Sequence, residues 1–164
     1  MTRGPHRWLR RDPLSDAEAL LPRVLAYVAY RIGDGPDAED VTADVFARAA
    51  RYRESYDASK GPPITWLLGI ARRCIDDELA RPRAEPDPPD VASPEDVEEK
   101  IGTRLTLAAG LSDLSDKDQE LIALRYGADM SARQIGRELG MTPGAVDVAI
   151  HRALERLRKA LEDL

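Results

Sequence analysis

Residues 131–157, SARQIGRELGMTPGAVDVAIHRALERL, spell two helix starts eleven residues apart, at Ser131 and Thr142. Ser131 can accept a bond from the backbone of the first turn while Gln134 reaches back, the reciprocal pattern of a capping box. Thr142 can cap a second helix whose first position is Pro143, where a missing N–H costs nothing. Gly140 is placed to end the first helix in the left-handed conformation. Ile135, Leu139, Val146, Ile150, Leu154 and Leu157 recur at helical spacing and predict one small core. Two short helices joined by a tight turn with Gly form the frame that sets a second helix into the DNA major groove. A plain helical hairpin carries the same pattern, so this segment alone leaves both readings open.

The rest of the chain is helical too. Residues 16–32 place Leu21, Val24, Leu25, Val28 and Ile32 on one stripe, with Ser15 as the expected cap. Residues 36–53 carry Val41, Val45, Phe46 and Ala49. Residues 64–81 carry Leu67, Ile70, Ala71, Cys74, Ile75 and Leu79. Gly33-Asp34-Gly35-Pro36 and the run from Asp57 to Pro63 break the pattern between them. No strand alternation occurs, so the expected fold class is all-α: two small helical domains with a helix-turn-helix in the second.

Charge divides the chain further. The net charge is −6, but residues 1–81 hold 13 basic against 13 acidic side chains and 101–164 hold 9 against 10. The stretch 82–100 holds 2 against 7, and five prolines. It cannot bury enough apolar surface to offset its ordering entropy, and reads as a semi-extended acidic linker. The expected organisation is a basic tail over 1–14, a helical domain over 15–81, the linker over 82–100, and a helix-turn-helix domain over 101–164. Cys74 is the only cysteine, which suits a reducing cytoplasm and reads as a buried small hydrophobe. Neither a signal peptide nor a membrane span is legible, and no membrane insertion is expected. No Gly-rich loop follows a strand, so no enzyme and no cofactor are expected. His151 has no neighbouring Cys or second His to complete a metal site.

Four segments, in order, resemble bacterial RNA polymerase sigma factors of the extracytoplasmic-function (ECF) type. Asp37-Ala38-Glu39-Asp40-Val41-Thr42-Ala43-Asp44-Val45-Phe46 is similar to that family's second helix. Trp66-Leu67-Leu68-Gly69-Ile70-Ala71-Arg72-Arg73, followed by Asp77, Leu79 and Arg81, resembles its next helix. Leu111-Ser112-Asp113-Leu114-Ser115 with Glu120, Leu124, Arg125 and Tyr126 resembles the lead into its C-terminal domain. Gly144-Ala145-Val146 with Ile150-His151-Arg152-Ala153 resembles its recognition helix.

The resemblance implies an alternative sigma factor that joins core RNA polymerase, directs it to a promoter subset and assists melting. Its implied partners are the clamp helices of the largest subunit, the flap of the β subunit, promoter DNA and an anti-sigma factor. Asp37, Glu39, Asp40, Asp44 and Arg48 would face the clamp, where carboxylates near a helix start form an acidic patch for a basic partner. Strand capture needs aromatic faces with positive charge. For the minus-ten strand these would come from Arg51, Tyr52, Tyr56, Ser59, Lys60, Trp66, Arg72 and Arg73, with a flipped base in the loop 57–63. Thr142, Gly144, Ala145, Asp147, Val148, His151 and Arg152 would meet the minus-35 element. On residues alone, the acidic patch also reads as a solvated helix start, and Tyr52 and Trp66 as core aromatics.

The sequence departs from the family at several points. Ala43 stands where Gln is frequent, Ala50 where Trp is frequent, and Pro63 where an aromatic is usual. Asp147, Ala149, Leu154 and Glu155 occupy recognition-helix positions that usually carry Lys or Arg. A carboxylate beside phosphates removes counterion-release affinity, so the isolated domain is expected to bind DNA weakly. Two other readings stay open here: a stand-alone helix-turn-helix regulator of duplex DNA, and a sigma-like protein held by an inhibitor.

Overall fold

The computed structural model describes residues 12–82 and 106–164, all-α with no strand among them. Nearly all of the expected tail and linker, including Glu85, Asp87, Asp90, Glu95 and Asp96, lies outside the described residues.

Three helices come first: α1 (Ala17–Ile32), α2 (Pro36–Arg51) and α3 (Pro63–Ala80). α2 and α3 each begin on Pro at the first turn, which needs no donor there. The start of α1 corrects the expected cap. Asp16 holds the N-cap position and makes no side-chain cap bond. Ser15 is drawn into the preceding turn instead, its N–H donating to the Asp12 carbonyl at 3.0 Å. Pro13 is buried and Asp12 pairs with Arg53 at 3.2 Å, so packing begins before residue 15.

The buried faces are Leu20, Val24, Tyr27 and Val28 on α1, Val41, Val45 and Ala49 on α2, and Ile64, Leu67, Leu68, Ala71, Cys74 and Ile75 on α3. Two expected stripe members fall outside them. Leu21 is 47% exposed, because helical phase puts Leu20 in line with Val24 and Tyr27 and turns its neighbour about 100° away. Leu79 is 56% exposed in the last turn of α3, where no described element covers it.

The second half begins with a helix described over residues 106–112 (α4), followed by α5 (Asp116–Ile122) and a π turn (Ala123–Gly127). α6 (Ala132–Leu139) and α7 (Pro143–Glu162) then form the helix-turn-helix. Its punctuation is as expected. Ser131 and Gln134 complete both halves of the capping box, Thr142 accepts from the Ala145 N–H, and Gly140 sits at φ 67°. The expected single core does not form. Ile135, Val146 and Ile150 are buried and Leu139 and Leu154 half-buried in one cluster, while Leu157 packs with Leu111, Leu114, Ile122 and Ala153 in another. The reason is length: α7 has 20 residues against 8 in α6, so its C-terminal half must find other neighbours, on α4 and α5.

The larger cluster is continuous across both halves of the chain. Val24, Tyr27 and Val28 of α1 meet Leu121, Ala123, Leu124, Ala128 and Met130 in one apolar core. The π turn makes this approach possible. A Cβ on Gly127 would stand 2.7 Å from the backbone N and Cα of Tyr27, so only glycine lets the two backbones come this close. Arg23 Nε donates to the Ala128 carbonyl at 2.8 Å beside it. The two helical domains are therefore packed face to face, in a closed arrangement.

Candidate nucleic-acid interface

α2 and α3 pack so that the end of one and the middle of the other flank an open cleft of about 800 Å³. Arg48, Arg51, Tyr52, Trp66 and Arg73 line it, together with Asp44, Ser55, Gly69 and Ile70. Tyr52 is 54% exposed, so it belongs to the cleft and not to the core. Trp66 does both: it packs against the core cluster and shows one side to the cleft. Tyr56 meets Trp66 edge to face, centroids 5.5 Å apart, and its hydroxyl donates to the Gly61 carbonyl at 2.9 Å. Asp57 Oδ1 accepts from both the N–H and the hydroxyl of Ser59, which shapes the loop leading to exposed Lys60.

The five residues expected to face a polymerase do not all share a surface. At about 100° per residue, Asp37, Asp40, Asp44 and Arg48 fall on one flank of α2, beside the buried stripe. Glu39 lies on the opposite flank. Asp37, Asp40 and Glu39 are exposed, and Arg48 pairs with Asp44 at 3.0 Å and with Asp77 of α3 at 3.2 Å. The Asp77 hydrogen bond is the main reason the Arg48 pKa is raised.

The two adjacent arginines of α3 go separate ways. Arg73 is exposed in the cleft. Arg72, one residue and about 100° away, turns towards the C-terminal domain. Its Nε donates to Glu120 Oε1 and its Nη1 to Glu138 Oε1, both at 2.9 Å. Nη2 lies 2.8 Å from the same Glu120 oxygen but off the hydrogen-bond line, and it finds no other acceptor. The other Glu120 oxygen accepts from the Tyr27 hydroxyl at 2.7 Å, with Arg31 Nε at 3.8 Å. Burial opposes the charge on Arg72, but Tyr27, Glu120 and Glu138 outweigh it and raise the guanidinium pKa. Burial, reinforced by Glu120, pushes the Tyr27 phenol up as well.

Arg72, expected at the minus-ten strand, is thus engaged between domains in this arrangement and does not line the cleft. Tyr27 and Glu138 were not among the expected site residues, and Glu120 figured only as a motif member. These groups are 48 to 93 residues apart along the chain, beyond the reach of any local pattern.

On α7, Thr142, Gly144, Ala145, Asp147, Val148, His151 and Arg152 are all exposed, while Val146, Ile150 and Ala153 are buried. His151 Nε2 lies 3.2 Å from Glu155 Oε1, one turn on.

Residues 17–85 match sigma-70 region 2, and residues 110–159 match sigma-70 region 4. These define the class: a sigma-70-type initiation factor carrying these two regions. The chain is 31% identical over 165 residues to the ECF RNA polymerase sigma factor SigL of Mycobacterium tuberculosis, covering 90% of this chain and 93% of SigL. It is 28% identical over 173 residues to the ECF RNA polymerase sigma factor SigW of Bacillus subtilis, covering 93% and 91%. Its fold is similar to the sigma factor RpoE of Bartonella quintana, solved with the anti-sigma factor NepR, with TM-score 0.63, 18% identity and coverage of 90% and 94%. It is also similar to CnrH, solved with the cytosolic domain of CnrY, with TM-score 0.61, 22% identity and coverage of 92% and 85%. The chain belongs to the ECF RNA polymerase sigma factors, and it is an alternative sigma factor that directs RNA polymerase. No described helix is long and apolar enough to cross a membrane.

Proposed function

We propose that the α2–α3 cleft takes the unpaired minus-ten strand and so assists promoter melting in the cytoplasm. The observation that carries this is the cleft itself, where Arg51, Tyr52, Trp66 and Arg73 set aromatic faces among positive charges, as single-strand binding needs. Tyr56, Ser59 and Lys60 extend it through the shaped loop. Asp37, Asp40 and Asp44 form the acidic flank for the clamp helices of the largest polymerase subunit. The helix-turn-helix over 131–157 meets the minus-35 element and rests on the flap of the β subunit, with the segment 82–100 as tether. Arg72 serves the strand only after Glu120 and Glu138 release it, so engagement requires the two domains to part. An anti-sigma factor that embraced both domains would hold the closed arrangement. Support for such a partner comes from the structural neighbours, RpoE having been solved with the anti-sigma factor NepR and CnrH with the cytosolic domain of CnrY.

The test is association with core polymerase followed by run-off transcription. Reversing charge at Asp40 and Asp44 together weakens association, whereas Glu39→Lys on the opposite flank leaves it near normal. All three side chains are exposed, so the fold loses only about 0.5 kcal/mol per site. Full association by the folded double variant would count against the clamp assignment.

A further inference from the structure

The outward side of α7 carries a half-exposed apolar residue within the helix-turn-helix. Val146, Ile150 and Ala153 mark the buried side. At about 100° per residue, Gly144 and Val148 fall nearly opposite them, with Ala145 and Arg152 on one shoulder and His151 on the other. Val148 is 50% exposed and adds nothing to the core. As a β-branched residue it is also a poorer helix former than the alternatives open to an exposed site. Gly144, one turn earlier, has open space around the position of a Cβ. The leading two turns therefore present bare backbone and one branched aliphatic side chain. Around it on α7 stand one arginine, Arg152, and two carboxylates, Asp147 and Glu155, the latter 3.2 Å from His151 Nε2.

Such a surface is poor at gripping phosphates. It is suited to the one apolar group exposed in the major groove, the C5-methyl of thymine, which no other DNA base carries. We infer that Val148 is a specificity-determining residue that reads a thymine of the minus-35 element through its methyl group, with Gly144 and Ala145 allowing the helix to approach closely. This rests on the reading that the helix-turn-helix meets the minus-35 element. Arg152 positions the helix on the backbone, and Val148 supplies sequence information that a phosphate contact cannot.

The experiment uses the full chain in complex with core polymerase. A preferred minus-35 element is selected from a randomised promoter library, and each of its thymines, on either strand, is then replaced by uracil, which lacks only the methyl. For the native chain, one replacement lowers promoter affinity about fourfold, the size of one buried methylene-sized group. For Val148→Ala the same promoter pair differs by less than about 1.5-fold, one methyl contact having been removed already. Alanine is the stronger helix former, so this variant folds. The inference is overturned if the selected element lacks thymine, if no uracil replacement matters, or if the sensitive position is unchanged in Val148→Ala. Should scrambling the whole element leave affinity untouched, the minus-35 reading itself fails, a result distinct from loss of methyl discrimination alone.

Discussion

Gly127→Ala should prise the two domains apart without harming either. The added Cβ would meet the Tyr27 N and Cα at 2.7 Å and the Ala26 carbonyl carbon at 2.9 Å. All three are backbone atoms of α1, so no rotamer change can relieve the contact. Relaxing to an ordinary carbon separation of about 3.6 Å moves the π turn and α1 roughly 0.9 Å apart. A gap of that size forfeits a quarter to a half of the dispersion energy along the contact. It also stretches the Arg23–Ala128 hydrogen bond, now 2.8 Å, past useful range. Overpacking of about 1–3 kcal/mol plus roughly 1 kcal/mol for the lost bond puts the cost near 3 kcal/mol. That is about a 150-fold shift towards the open arrangement. The assay is distance measurement between one label on α2 and one on α7, read alongside helical content. Gly69→Ala is the control, since a Cβ there meets nothing within 4 Å. If Gly127→Ala keeps the native inter-label distance and stability, backbone approach at this glycine does not hold the domains together.

Two further outcomes follow from the same contacts. A double-mutant cycle on Arg72→Met and Glu138→Gln should give a coupling of about 1–2 kcal/mol in unfolding, since the pair is partly buried and charge-assisted; coupling near zero would make the contact incidental. Burial pushes the Cys74 thiol up to about 11, with Arg48 opposing in part. The folded state therefore holds its proton longer than the unfolded chain, and this contribution to stability is full below about pH 8.5 and lost as pH rises through about 11. Alkylation of Cys74 at pH 8 should be slow until the chain unfolds, and fast modification of the native protein would contradict its burial.

Local chemistry was legible and long-range chemistry was not. Ser131, Gln134, Gly140, Thr142 and Pro143 specify the helix-turn-helix through bonds spanning a few residues, so the segment reads directly from sequence. Two residues of the cleft, Trp66 and Arg73, were legible through a motif, and Tyr52 only as an aromatic set among basic side chains. Helical phase caused the smaller departures: it put Leu20 inside and Leu21 outside, and it separated Glu39 from Asp40. The interdomain contacts left no trace in periodicity. Tyr27 lies on an apolar stripe and reads as core, while Glu120 and Glu138 look like ordinary solvated carboxylates on short helices. Only the fold shows that one guanidinium and one phenol converge on them. The π turn is equally silent, since nothing in Ala123-Leu124-Arg125-Tyr126-Gly127 departs from a good α-helical pattern until Gly127.

The shared core also bears on how this protein survives before it meets polymerase. Val24, Tyr27, Val28, Leu121, Leu124 and Met130 are each at most 2% exposed, in a core to which both halves contribute. Once parted, they would present a contiguous greasy patch on each half, the kind of surface by which unattached proteins stick to one another and precipitate. An opened molecule without a partner is therefore aggregation-prone as well as unbound. On the proposed reading, closure would act as a wrapper for the free pool until a larger assembly took over the task of shielding those side chains.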